Sequence, residues 1–278
     1  MALEKTDAHV CFGGEQLQFT HESAVNDCTM TFSIYLPPQA KTGPVPAVWW
    51  LSGLTCTDQN FVTKAGAQGF AAEYGLAVIA PDTSPRGDDV PDDQDNWQFG
   101  SGAGFYLDAT QEPWRKNYKM YSYLRDELPQ ILEDNFNVDM KRQGVFGHSM
   151  GGHGALTMAL KNPETFKSCS AFAPIVEPST ADWSSGAFAR YLGEDKANWR
   201  AYDATALVED GNTFSEFLID QGQADGFLDD GLRPWLFEEA CKQANIPLKL
   251  RMQPGYDHSY FFISTFMEDH IKWHADRL

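Results

Sequence analysis

The residues with the clearest chemical potential are Gly147-His148-Ser149-Met150-Gly151, a serine held in G-x-S-x-G spacing. Between a strand and a helix, this spacing puts the serine on a sharp, strained turn with its hydroxyl exposed above a sheet. Side chains at Gly147, Gly151 or Gly152 would crowd that turn. A serine hydroxyl is a weak nucleophile and needs a histidine base, itself oriented by an acid. On this fold the partners follow in the order serine, acid, histidine. Downstream of Ser149 the histidines are His153, His258, His270 and His274. His153, one turn into the helix after the serine, is expected to pack there, and His270 and His274, four apart on a final helix, to sit at a surface. His258 falls in Gln253-Pro254-Gly255-Tyr256-Asp257-His258, a loop just past a strand, where a base belongs. Among the acids, Asp225 is favoured because it lies on the turn after a strand over 214–220. Its rivals are Asp220 at the strand's end and Asp229 and Asp230, which look solvated. Acyl transfer also needs donors for a developing oxyanion. The N–H of Met150, after the nucleophile, is one; the topology puts the second on the loop after an early strand, at Leu54, with Gly53 shaping the turn.

These residues need a frame. The runs Pro46-Ala47-Val48-Trp49-Trp50-Leu51 and Leu76-Ala77-Val78-Ile79-Ala80 are continuously apolar, as strands buried on both faces are. A helical pattern over 61–74 joins them, so the order is strand, helix, strand, the unit of a parallel sheet. Weaker strands are expected at 17–19 and 30–36, the second stopped by Pro37 and Pro38. Further strands are expected at 143–146, 168–172, 214–220 and 248–252, with helices over 118–135, 151–160 and 261–273. The stretch 83–113 reads as one long irregular loop, and loops of this length in compact domains tend to be functional. The fold class is therefore α/β, an α/β-hydrolase fold with a mostly parallel central sheet flanked by helices on both faces, and 1–278 reads as one domain.

Composition narrows the function. With 39 acidic against 21 basic residues the net charge is −18, a field that repels nucleic-acid backbones and anionic membranes. No apolar run approaches the roughly 20 residues of a membrane span, and the N-terminus lacks the pattern of a secretory signal. The five cysteines show no zinc or redox spacing, which suits reduced thiols in the cytoplasm. Asp88, Asp89, Asp92, Asp93 and Asp95 lack the ligand spacing of a calcium loop and read as a solvated acidic segment.

Four segments carry a resemblance. LSGLTCTD over 51–58, GAGFYLDATQEPW over 102–114, FGHSMGGHGA over 146–155 and PGYDHSYFF over 254–262 resemble the S-formylglutathione hydrolase family, also called esterase D, over almost the whole chain. The resemblance implies the triad Ser149, Asp225 and His258, and a thiol near the site at Cys56. It implies hydrolysis of a glutathione thioester to glutathione and formate without cofactor or metal, and a homodimer. A tight acyl pocket is expected for so small an acyl group, with Trp97, Phe99 and Phe105 as walls or as core aromatics. The alternative is a short-chain carboxylesterase with a looser pocket and the same triad; a non-catalytic binding module on this fold would have no need to keep all three triad residues.

Overall fold

The computed structural model describes residues 3–278, with Trp183 described by its backbone alone. Among the described residues nine strands form one sheet: β1 (Leu3–Cys11), β2 (Gly14–Ser23), β3 (Cys28–Leu36), β4 (Val45–Leu51), β5 (Ala77–Pro81), β6 (Val138–His148), β7 (Phe166–Phe172), β8 (Phe217–Gly222) and β9 (Leu248–Gln253). Their spatial order is β1-β2-β3-β5-β4-β6-β7-β8-β9. From β5 to β9 every pairing is parallel, whereas β1, β2 and β3 join antiparallel to one another and to β5. The helices are α1 (Asp58–Lys64), α2 (Ala67–Tyr74), α3 (Met120–Ser122), α4 (Leu128–Asn135), α5 (Met150–Lys161), α6 (Asp182–Leu192), α7 (Ala204–Glu209), α8 (Pro234–Ala244) and α9 (Tyr260–Ala275). They flank the sheet, so β5 and β8 are buried along their whole length and β4 nearly so. That double burial is why these strands read as unbroken apolar runs.

Local departures from the sequence reading have physical causes. β1 is exposed along most of its length, carries no apolar alternation, and exists by pairing with β2. The helix expected over 61–74 is two helices, parted at Gly66, whose φ of 68° is the left-handed conformation that ends a helix at little cost to glycine. Between α3 and α4 lies a π turn, Tyr123–Glu127. Pro129, two residues further on, has no N–H for the regular ladder.

The final helix requires a larger correction. His270 and His274 of α9 do not sit at a surface; both are fully buried. His270 Nε2 meets Asp220 Oδ2 at 3.0 Å and its Nδ1 meets Ser170 Oγ at 2.8 Å. His274 lies between Ser170 Oγ at 3.0 Å and Ser168 Oγ at 2.6 Å. Polar side chains at helical spacing read as an outer face, but here each has a partner on the sheet, and a satisfied polar group can be buried. His153 packs in the core as expected, its Nε2 donating to Phe105 O at 2.9 Å.

Candidate active site

The parallel strands end in loops along one edge of the sheet, where ligands gather in open α/β sheets. Ser149 follows β6 directly and precedes α5, with φ 58° and ψ −118°, a strained conformation for a residue with a side chain. The surroundings enforce it. Ser149 N donates to Phe172 O at 3.0 Å, and its carbonyl accepts from His153 N at 2.9 Å and Ile175 N at 3.2 Å. A Cβ on Gly151 would lie 1.9 Å from Leu51 O, so only glycine lets α5 start this close to β4.

His258 stands on the loop after β9, and its Nδ1 lies 2.5 Å from Asp225 Oδ2. Asp225, on the turn after β8, is buried and held in place by Phe227 N at 2.8 Å and Gln221 Nε2 at 3.2 Å. With Nδ1–H donated to Asp225, the imidazole is fixed in the tautomer whose Nε2 accepts a proton. The rival acids are engaged elsewhere or remote. Asp220 accepts from Arg251 Nε at 2.7 Å, from Gln253 Nε2 at 2.9 Å and from His270, and also pairs with Arg251 Nη2. Burial pushes the Asp220 carboxyl up, but His270, Arg251 and Gln253 outweigh that and hold it at about 2. Asp229 and Asp230 are exposed.

Ser149 and His258 open into the same cavity of about 350 Å³, which Leu54, Cys56 and Trp97 also line. The loop after β4 lies against the serine turn: a Cβ on Gly53 would come within 3.3 Å of Ser149 Cβ. Leu54 is on that loop, and Met150 is the first residue of α5, where an amide has no acceptor within the helix. The long segment 83–113 buttresses this loop. Thr83 Oγ1 donates to Cys56 O at 2.5 Å, Gly102 O accepts from Thr55 N at 2.9 Å, and Tyr106 Oη donates to Ser52 O at 2.8 Å. Of the three aromatic walls considered, only Trp97 borders the cavity. Phe99 is buried against Trp114 and Tyr191, and Phe105 against Phe188 and His153. Burial raises the Cys56 thiol above its ordinary range, with the Lys64 charge acting the other way.

Sequence reasoning passed over several residues here. His148, adjacent to the serine, has its ring 4.3 Å from that of His258; burial, then the neighbouring His258, lower its pKa well below the ordinary range. It therefore stays neutral beside His258. Phe227, Asn60 and Lys64 also line the cavity, and Phe227 packs edge-on to His258 at 5.0 Å. The signal for His148 was its place beside the serine. The other three come from turns and a helix whose approach to the site is set by the fold.

Residues 23–273 match the family described as putative esterase. With the nine-stranded sheet and the strained serine turn, this defines an esterase of the α/β-hydrolase fold. The chain is 55% identical over 280 residues to the S-formylglutathione hydrolase of Bos taurus, covering 100% of this chain and 99% of the relative. It is 52% identical over 278 residues to that of Paracoccus denitrificans, again covering 100% and 99%. A solved structure of an S-formylglutathione hydrolase from Agrobacterium tumefaciens matches with a TM-score of 0.98 at 62% identity, over 99% of both chains. The chain belongs to the S-formylglutathione hydrolase family, a group of serine-type thioester hydrolases.

Proposed function

We propose that this chain hydrolyses S-formylglutathione to glutathione and formate, with Ser149 as nucleophile, His258 as general base and acid, and Asp225 as the orienting carboxylate. The observation that carries the reading is that a strained Ser149 opens into the same cavity as His258, whose Nδ1 lies 2.5 Å from buried Asp225. His258 Nε2 takes the Ser149 proton as Oγ attacks the formyl carbon. The N–H groups of Leu54 and Met150 receive the oxyanion. Collapse of the tetrahedral intermediate expels glutathione sulfur, which receives its proton from His258. Water, deprotonated by His258, then attacks the formyl-enzyme, and formate leaves. Cys56 is a wall of the leaving-group side rather than a second nucleophile, since burial raises its thiol pKa and the reactive form is the thiolate.

The chain acts as one domain in this reading, supported by one contiguous core cluster. Among the described residues no helix is long and apolar enough to cross a membrane. A homodimer and a cytoplasmic location rest on the resemblance and on the free cysteines; light scattering of the purified protein tests the dimer. The test of function compares kcat/KM for S-formylglutathione with that for a simple aryl acetate. A large excess for the thioester supports the assignment, and an aryl ester preferred over the thioester makes the protein a short-chain carboxylesterase.

A further inference from the structure

Glutathione is a tripeptide with a carboxylate at each end and a net negative charge near neutral pH. A protein of net charge −18 repels such a substrate unless a local cation compensates. Among the described residues lining the cavity that holds Ser149, Lys64 is the one lysine or arginine. It has no ion pair with a carboxylate among the described residues, and its contact is with the ring of Tyr260, 5.7 Å from the centroid. Lys64 ends α1, where the helix dipole favours a cation without an anionic partner. Its electrostatic effect reaches Cys56 across the cavity wall.

Asn60 precedes Lys64 by four residues on α1, so the two share a helix face, and both line the cavity. Asn60 Oδ1 caps α1 by accepting from Thr57 N at 2.9 Å, which leaves its NH₂ as a donor. Following the chain from Cys56 along α1, the wall thus offers a thiol, an amide donor and an ammonium. That order suits a leaving group whose sulfur is followed by a peptide carbonyl and then a carboxylate.

We propose that Lys64 binds a terminal carboxylate of the glutathione moiety and that Asn60 donates to its peptide carbonyl, making this face of α1 the leaving-group subsite. The assignment rests on the reading of the chain as a glutathione thioester hydrolase. Binding through Lys64 is made equally in the ground and transition states, so it governs KM and leaves kcat to the triad.

The test uses Lys64→Gln, Lys64→Glu and Lys64→Arg. For an exposed ion pair, Lys64→Gln is expected to raise the KM for S-formylglutathione about 5-fold at low salt with kcat retained. Lys64→Glu raises it further and Lys64→Arg restores most of it. The wild-type KM climbs with added salt, as screening predicts, and the Lys64→Gln value stays flat. Substrates amidated at the glycine carboxylate or at the γ-glutamyl carboxylate separate the two ends, since only loss of the bound one makes Lys64→Gln silent. Glutathione as a competitive inhibitor of aryl acetate hydrolysis supplies a readout independent of thioester turnover. Inhibition that weakens in Lys64→Gln upholds the subsite even if S-formylglutathione proves a poor substrate, which would overturn only the activity. Unchanged KM and unchanged glutathione inhibition in Lys64→Gln and Lys64→Glu would overturn the subsite.

Discussion

Two aspartate, histidine and serine sets stand on the same half of the sheet. In one, Asp225 holds His258 at the edge where the strands end, and the His258 side chain, 20% exposed, lines the same cavity as Ser149. In the other, Asp220, His270 and Ser170 form a chain that continues to His274 and Ser168, and both histidines are fully buried. The residue types are the same, and in both sets the histidine is hydrogen-bonded to its aspartate. The difference is what the serine can reach. Ser170 lies within a strand between two imidazoles, with no space for a carbonyl carbon, whereas Ser149 is thrust out by a turn with positive φ. The inner set also fixes its own proton directions. His270 donates from Nε2 to Asp220, so its Nδ1 must accept from Ser170, whose oxygen in turn accepts from His274 Nε2–H. It ties α9 to β7 and β8, the strand that leads into the Asp225 turn. In the proposed mechanism reactivity comes from an opening and a strained turn, and the same side chains without them serve as cross-links.

The largest expected effect separates the sets outright. Ser149→Ala should cut kcat by about 10⁴-fold or more while leaving the denaturant midpoint unchanged; retained turnover would remove Ser149 from the chemistry. Next come the acids. Asp225→Asn should slow the enzyme by about 10⁴-fold through loss of the correct His258 tautomer. Asp220→Asn should instead cost about 3 kcal/mol of stability, leaving Arg251 and His270 under-partnered, with kcat/KM within about tenfold of wild type. Reversed results for the two acids, read by kinetics and urea unfolding together, would exchange their roles.

His270→Ala should destabilise by about 3 kcal/mol or more, since it opens a cavity and strips partners from the chain. The same region sets the acid limit of the fold. Burial lowers the pKa of His270 and His274, and brings that of His153 to about 4. The unfolded chain binds protons at these histidines near pH 6.5, so unfolding takes up protons and stability falls as pH drops from about 6.5 toward 4. Asp220, held at about 2, adds stability that is present above about pH 4 and is lost between there and pH 2. Urea midpoints measured from pH 8 to pH 3 should therefore fall in two stages, and His153→Gln should remove up to about 3 kcal/mol of the first. The smallest effect is at Cys56. Cys56→Ser should keep activity within a few-fold and lose sensitivity to bulky alkylating reagents, whose reaction with wild type should quicken as pH rises toward the raised thiol pKa. Inhibition of Cys56→Ser equal to that of wild type would place the sensitive thiol elsewhere.

Much of this is legible in the sequence. The apolar runs that became β4 and β5 announce burial on both faces, and G-x-S-x-G between a strand and a helix announces the serine turn, because both are local patterns imposed by backbone geometry. The placement of His258 just past β9 and of Asp225 just past β8 follows from loop position alone. What escaped depended on partners distant in sequence. β1 has no pattern of its own and is held by β2; His270 and His274 look like an outer helix face until Asp220 and Ser168 meet them. Phe99 and Phe105 have the size of pocket walls but turn into the core, and Lys64 is an ordinary helix-ending lysine until α1 is set beside the cavity.

The amino-acid sequence by itself determined the strand-helix-strand succession of a parallel unit, the strained turn at Ser149 and the chain order of serine, aspartate and histidine, since each is written in spacing and residue type over a few positions. Only the tertiary structure decided how the two aspartates are partnered and that His270 and His274 are buried rather than at a surface. Asp220 and Asp225 lie on one strand and the turn that follows it, and their roles part because one is saturated by Arg251, Gln253 and His270 inside the protein while the other holds His258 at an open cavity. Hydrogen-bond saturation and access to solvent belong to the packed chain, and no property of an isolated residue carries them.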